Sequence, residues 1–270
     1  MASPARGPRV GGVATPTIAL DESDELAALR DLLSSGPRTN RLRPPALSPN
    51  PSPAAAAAPA APAPPQSNGA TSTARLLQLL QDRSGIDEAR PMLEAELAHR
   101  EGMLGPKHAD TLLSVTCLAM LLQAKGEMAA AKPLYERALA GFEEKYGPTH
   151  RDTLISANNL AVLLKAMGRL AEARPLYERV LAGDIGQLGE SHPHTLDSIY
   201  NLARLNQAEG NLDTAIPLFR RELEGCAELY GPEHQETRTS ARNLYQLLRE
   251  KGDEFSAAEL VKRFGALDAA

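Results

Sequence analysis

The residues of this 270-residue chain best suited to metal binding or nucleophilic attack are histidines at 108, 150, 192 and 234 and cysteines at 117 and 226. The four histidines fall at equal steps of 42 residues. If each step is one structural unit, equivalent histidines are separated by helix layers roughly 8–10 Å thick. Zinc ligands must lie about 2 Å from a shared ion, so the histidines are read as loop residues, and His192-Pro193-His194 likewise. Cys117 is the one candidate nucleophile, but its position is asparagine in the sister units, at Asn159, Asn201 and Asn243. The sequence carries no glycine-rich phosphate loop, paired-cysteine metal motif or nucleophile elbow. No catalytic residue, metal ligand or cofactor is expected, and the chain is read as a non-enzyme.

The elements that would position these residues follow from the same step of 42. Gly105, Gly147, Gly189 and Gly231 recur with it, as do Thr111, Thr153, Thr195 and Thr237, and Gly126, Gly168, Gly210 and Gly252. Between the two glycines of a unit, Leu118, Leu121 and Leu122 reappear as Leu160, Leu163 and Leu164, the spacing of an amphipathic helix. This is helix A. After the second glycine, Ala131, Leu134, Tyr135, Ala138 and Leu139 reappear as Ala173, Leu176, Tyr177, Val180 and Leu181, defining helix B. Gly126 and its equivalents stop helix A, because glycine takes the left-handed conformation there at no steric cost. Ala131, Ala173, Ala215 and Ala257 fall where the helices cross, and a small side chain permits close approach. Pro133, Pro175 and Pro217 lie inside helix B, where proline removes a hydrogen bond and bends the helix.

The repeats run 105–146, 147–188, 189–230 and 231–264. A degenerate cap unit at 69–104 keeps the register through Leu76, Leu79, Ala89, Pro91 and Leu97, and residues 265–270 form a tail. The last repeat is atypical, with Tyr245 in the register of Ala203 and Glu259 replacing the proline. Residues 1–68 hold no lysine and include an unbroken Ala/Pro run from Pro53 to Pro65. This arm is expected to be disordered, except for a short helix at 20–33 where leucines follow Asp21, Glu22, Asp24 and Glu25.

A net charge of −5, a pI near 5.8 and no tryptophan lack the basic, aromatic surface that nucleic-acid binding needs. No run of about 18 apolar residues is present, so membrane insertion is not expected. Two widely spaced cysteines read as free thiols in a reducing compartment. The expected location is cytoplasmic, with organelle targeting by the arm left open.

Residues 131–139, AKPLYERAL, with Asn158-Asn159-Leu160-Ala161 and Gly147-Pro148-Thr149-His150, resemble the repeats of kinesin light chains and similar tetratricopeptide arrays over about residues 70 to 264. The light chains also carry a heptad coiled coil where this chain has Ala/Pro-rich sequence. The resemblance implies an all-α fold, a right-handed solenoid of antiparallel helix pairs, whose concave wall of A helices receives a peptide. Positions that contact the peptide in such proteins map onto Asn158, Val162 and Lys165, then Tyr200, Arg204 and Gln207, then Arg242, Gln246 and Arg249, with Thr116, Met120 and Gln123 in the preceding unit.

Lys165, Arg204, Arg242 and Arg249 outweigh Asp197 and Glu250 on that stripe, which points to an acidic protein or peptide partner. An ordinary solvated helix face remains the alternative. Asn159, Asn201 and Asn243 read either as a ladder for a peptide backbone or as helix-to-helix hydrogen bonds, the second being preferred. Segment 20–33 either lies in the groove of its own chain or makes no contact, again the second being preferred. The functional reading is a peptide-binding adaptor; alternatives are a structural spacer and a regulatory subunit for an enzyme in another chain.

Overall fold

A computed structural model describes residues 86–267. The expected arm at 1–68, its acidic segment at 20–33 and the first part of the cap unit therefore lie outside the described residues. Within them the chain forms nine helices and no strand: α1 (Ile86–Leu104), α2 (Ala109–Ala124), α3 (Met128–Tyr146), α4 (Arg151–Ala166), α5 (Leu170–Leu188), α6 (Pro193–Ala208), α7 (Leu212–Tyr230), α8 (Gln235–Lys251) and α9 (Glu254–Phe264). Each packs chiefly on its neighbours in sequence. The result is a right-handed solenoid of antiparallel hairpins. The A helices are α2, α4, α6 and α8; the B helices are α3, α5, α7 and α9, with α1 in the register of a further B helix.

An A helix lies between its own B helix and the one before, so most of its circumference must be apolar or internally bonded. In α4 every residue from Asp152 to Leu164 except Ile155 is buried. The B helices bury one stripe, centred on Tyr135, Tyr177 and Phe219. Ala131, Ala173 and Ala215 are wholly buried at the crossings, where a larger side chain would force the helices apart. Gly141, Gly183 and Gly225 form a second close approach in the same register. A Cβ at these positions would lie 2.6, 2.5 and 2.4 Å from the side chains of Leu112, Leu154 and Leu196.

Pro133, Pro175 and Pro217 stand inside continuous B helices. All three are exposed, as are Ala129, Ala171 and Asp213 four residues earlier, so the carbonyls that lose a partner remain open to water.

The loops explain the recurrent glycines, histidines and threonines together. Gly147 adopts φ +88, closed to most L side chains, and its carbonyl accepts from Thr153 Oγ1 at 2.8 Å. The same bond joins Thr111 to Gly105, Thr195 to Gly189 and Thr237 to Gly231. Each histidine is the N-cap of its A helix: Nδ1 of His108, His150, His192 and His234 accepts from the backbone N–H two residues on, at 3.2–3.3 Å. Imidazole thus does the work usually given to Ser, Thr, Asn or Asp. At the far end Leu267, in the register of Gly225 and beyond α9, is buried in the terminal core cluster with Phe264 and Leu260.

Candidate functional site

The A helices of successive repeats meet along one wall. Asn201 Nδ2 on α6 donates to Asn158 Oδ1 on α4 at 3.1 Å, and Arg204 on α6 is close enough to Lys165 on α4 to depress its proton affinity. Of the mapped positions, Asn158 and Val162 are buried. Lys165, Tyr200, Gln207 and Arg242 are half-buried, while Arg204, Gln246 and Arg249 are exposed. Tyr200 sits edge-on to Phe219 with ring centres 5.8 Å apart. In the preceding unit Thr116 is buried and donates to the Leu112 carbonyl at 2.9 Å. Met120 and Gln123 are half-buried.

The three recurrent asparagines behave differently from one another. Asn159 is buried, and its Nδ2 has no hydrogen-bond partner among the described residues. Asn201 bridges to Asn158 on the neighbouring A helix, and Asn243 is half-buried.

Electrostatically the stripe is not uniform. Arg249 donates to Tyr245 Oη at 3.1 Å and pairs with Glu254 at 3.2 Å, so its charge is offset. Arg204 donates to Gln207 Oε1 at 2.8 Å. Among the described residues no carboxylate lies within ion-pairing distance of Lys165, Arg204 or Arg242, whereas arginines elsewhere, such as Arg137 and Arg100, have one. Nε of Arg242 is buried with no hydrogen-bond partner. Burial, and secondly Arg204, push the Lys165 ammonium down to about 8.

One substitution between repeats leaves a further donor without an acceptor here. Tyr135 Oη donates to Gln123 Oε1 at 3.0 Å. One repeat on, Tyr177 keeps the hydroxyl, but Gln123 has become Lys165, which carries only donors. Tyr177 Oη is buried and has no partner among the described residues.

Beside the Asn158–Asn201 bridge, α4, α5 and α6 enclose a pocket of about 40 Å³. Leu154, Ile155 and Val180 supply apolar lining, and Asp184, Asp197 and Ser198 polar lining. Ser198 Oγ donates to Asp184 Oδ2 at 2.5 Å, and burial raises the Asp184 pKa. The sequence pattern conceals this pocket: Asp184 takes a B-helix register held by Phe142 in the preceding repeat and Cys226 in the next. That exchange of an aromatic for a carboxylate is the only sign of it in the sequence.

Cys117 is buried, and burial pushes its thiol up to about 12, so it is protonated and shielded rather than nucleophilic. Cys226 is buried too and donates to Glu222 Oε1 at 3.4 Å. Among the described residues no group of three or more His, Cys, Asp or Glu could hold a metal ion. No helix among them is long and apolar enough to cross a membrane.

Stacked helical hairpins with capped, glycine-marked loops define a helical-repeat protein that works through its surfaces. The chain belongs to the tetratricopeptide repeat family, whose family model matches residues 111–185 and 188–263. No curated protein matches the sequence. Among solved structures, a kinesin light chain-type protein of Podosopora anserina with nearly identical TPR-like repeats is 28% identical. It covers 74% of this chain and 94% of its own, at a TM-score of 0.65. BtubC of P. vanneervenii superposes with the same TM-score at 22% identity, over 74% of this chain and 80% of its own. A MamA protein from Desulfovibrio magneticus shares the fold at 16% identity and TM-score 0.53, over 73% and 93% of the two chains. Tetratricopeptide arrays of this kind mediate protein–protein interaction, and kinesin light chain-like arrays are its structural neighbours.

Proposed function

We propose that this chain is an adaptor whose A-helix wall, across repeats 2 to 4, holds an acidic segment of a partner protein. The observation that carries the reading is the set of cations left without carboxylates on that wall. Lys165, Arg204 and Arg242 occupy successive A helices, and Lys165 is partly desolvated without a counter-ion. Half-burying an ammonium costs free energy that a bound carboxylate returns. The buried Tyr177 hydroxyl adds a donor in the same part of the wall. Asn158 and Val162 serve as floor, and Tyr200, Gln207, Gln246 and Arg249 as flanking contacts.

A peptide display selection against the full chain tests this. Enrichment of acidic sequences, lost in the Arg204→Glu/Arg242→Glu variant, supports the adaptor. Binding that survives the reversal and maps to the B-helix wall or the ends of the array supports a spacer instead. A partner enzyme whose rate changes on addition of the chain would mark a regulatory subunit. If segment 20–33 occupies the groove, deleting residues 1–35 raises affinity for an added acidic peptide; unchanged affinity removes that self-contact.

A further inference from the structure

The pocket between α4, α5 and α6 opens beside the Asn158–Asn201 bridge, on the same wall as Lys165 and Arg204 but with the opposite sign. Asp184 and Asp197 line it together with the guanidinium of Arg151 and the imidazole of His194. Leu154, Ile155, Val180 and Leu188 make its apolar wall, and its polar groups come from all three helices. The Asn158–Asn201 bond uses one N–H of Asn201 and leaves the carbonyl oxygen of that side chain to accept. An aliphatic sleeve ending in carboxylates and a carbonyl complements one kind of side chain, a methylene stem with a cationic head. At about 40 Å³ the space takes the tip of a single such chain and no ring.

The placement also sets a register. Asp197 and Arg204 are both on α6, seven residues apart, which is about 10 Å along a helix rising 1.5 Å per residue. An extended peptide advances about 3.3 Å per residue, so it spans that interval in about three residues.

We propose that this pocket seats a lysine or arginine side chain of the same peptide whose acidic residues face Lys165 and Arg204. The groove then recognises a bipolar segment, with basic and acidic residues about three positions apart, rather than acidity alone. The proposal rests on the acidic-peptide reading and narrows it.

The test is a random-peptide display selection against the full chain, run in parallel on Asp197→Asn and on Arg204→Glu/Arg242→Glu. The wild-type pool should pair Lys or Arg with Asp or Glu three or four positions away. The Asp197→Asn pool should keep the acidic position and lose the basic one. A synthetic peptide from the wild-type pool should bind Asp197→Asn about tenfold more weakly, the loss of one partly desolvated charge pair. Its lysine-to-norleucine analogue should lose the same factor on wild type and nothing more on Asp197→Asn. Asp184→Asn, isosteric and still able to accept from Ser198, repeats the test on the second carboxylate. An acidic pool without a linked basic position, or equal norleucine losses on wild type and Asp197→Asn, overturns the proposal and leaves the acidic groove standing. A pool with no acidic enrichment overturns both.

Discussion

On the B-helix wall Arg137 lies 2.6 Å from Glu101, Arg221 3.2 Å from Glu190 and Arg263 3.4 Å from Glu224, and Arg179 pairs with Glu143. These arginines recur at the 42-residue step, and each reaches a glutamate in an earlier helix or loop. On the A-helix wall Lys165, Arg204 and Arg242 have no such partner among the described residues. Both walls are built from the same repeats, so helix geometry does not cause the difference. The B wall's charges are neutralised within the array and join one unit to the next. Those of the A wall have no carboxylate among the described residues, and Lys165 is also held at a cost in desolvation. A charge that stabilises the fold and one kept for a partner should respond differently to mutation, and this gives the comparison its tests.

The largest effect expected is on binding. Arg204→Glu/Arg242→Glu should weaken an acidic peptide about a hundredfold, on the order of 1.4 kcal/mol for each reversed contact. The melting temperature should not fall, because neither residue has an ion pair in the array to lose and Arg204 repels Lys165. Isothermal titration with parallel thermal melts checks this; a melt that falls with the affinity would erase the distinction between the walls.

Ala173→Leu should affect the other property. At the wholly buried crossing of α4 and α5 the added volume should cost about 1–3 kcal/mol. Ala257→Leu, in the terminal hairpin, should cost less, since repeat stability comes largely from neighbouring interfaces. Equal shifts in a denaturant titration would show that the terminal unit is as tightly held as the centre. Smaller still is Arg179→Ala on the B wall. Losing the pair with Glu143 should lower stability by up to about 1 kcal/mol, as for other partly exposed pairs, and leave peptide affinity unaltered.

The hairpins, the glycine stops and the alanine crossings were all legible in the sequence, because a fixed step exposes any position whose requirement is the same in every unit. The histidine and threonine series were equally visible as loop residues leading into a capped helix, but which side chain caps the helix and which locks the glycine carbonyl was not. Those depend on which side-chain atom meets which backbone atom, and spacing does not encode that. Gly141, Gly183 and Gly225 recur at the same step, yet a helix-interior glycine announces a close contact only once Leu112, Leu154 and Leu196 are placed against it. The candidate site could be drawn from the sequence as a helix stripe, but without its environment. Asn158 and Val162 share the helix stripe with Lys165 yet are buried, and Arg249 is as cationic as Arg204 yet is paired with Glu254. Pairing and burial depend on contacts between repeats, and the pocket at Asp184 arises from a departure from the repeat, which a search for periodicity passes over.

Titration gives the mildest effect and separates the walls without any mutation. The Lys165 ammonium is pushed down to about 8, by burial first and Arg204 second. A bound carboxylate favours the charged form, so affinity should hold steady below pH 8 and fall as pH rises through it. If binding lifts the pKa by about half a unit, the peptide should bind about 2.5-fold more weakly at pH 9 than at pH 7. Lys165→Arg should flatten the profile, because a guanidinium stays charged throughout that range. The stability of the free chain should move the opposite way. Unfolded lysine keeps its proton to about 10.4, so between pH 8 and 10 the unfolded state holds more of it than the folded one, and this residue's contribution to stability rises with pH. A melting profile compared with Lys165→Met should show that rise vanish in the variant. If affinity and stability instead fell together across pH 8, the ammonium would already have a counter-ion within the fold, and the A wall would differ from the B wall only in appearance.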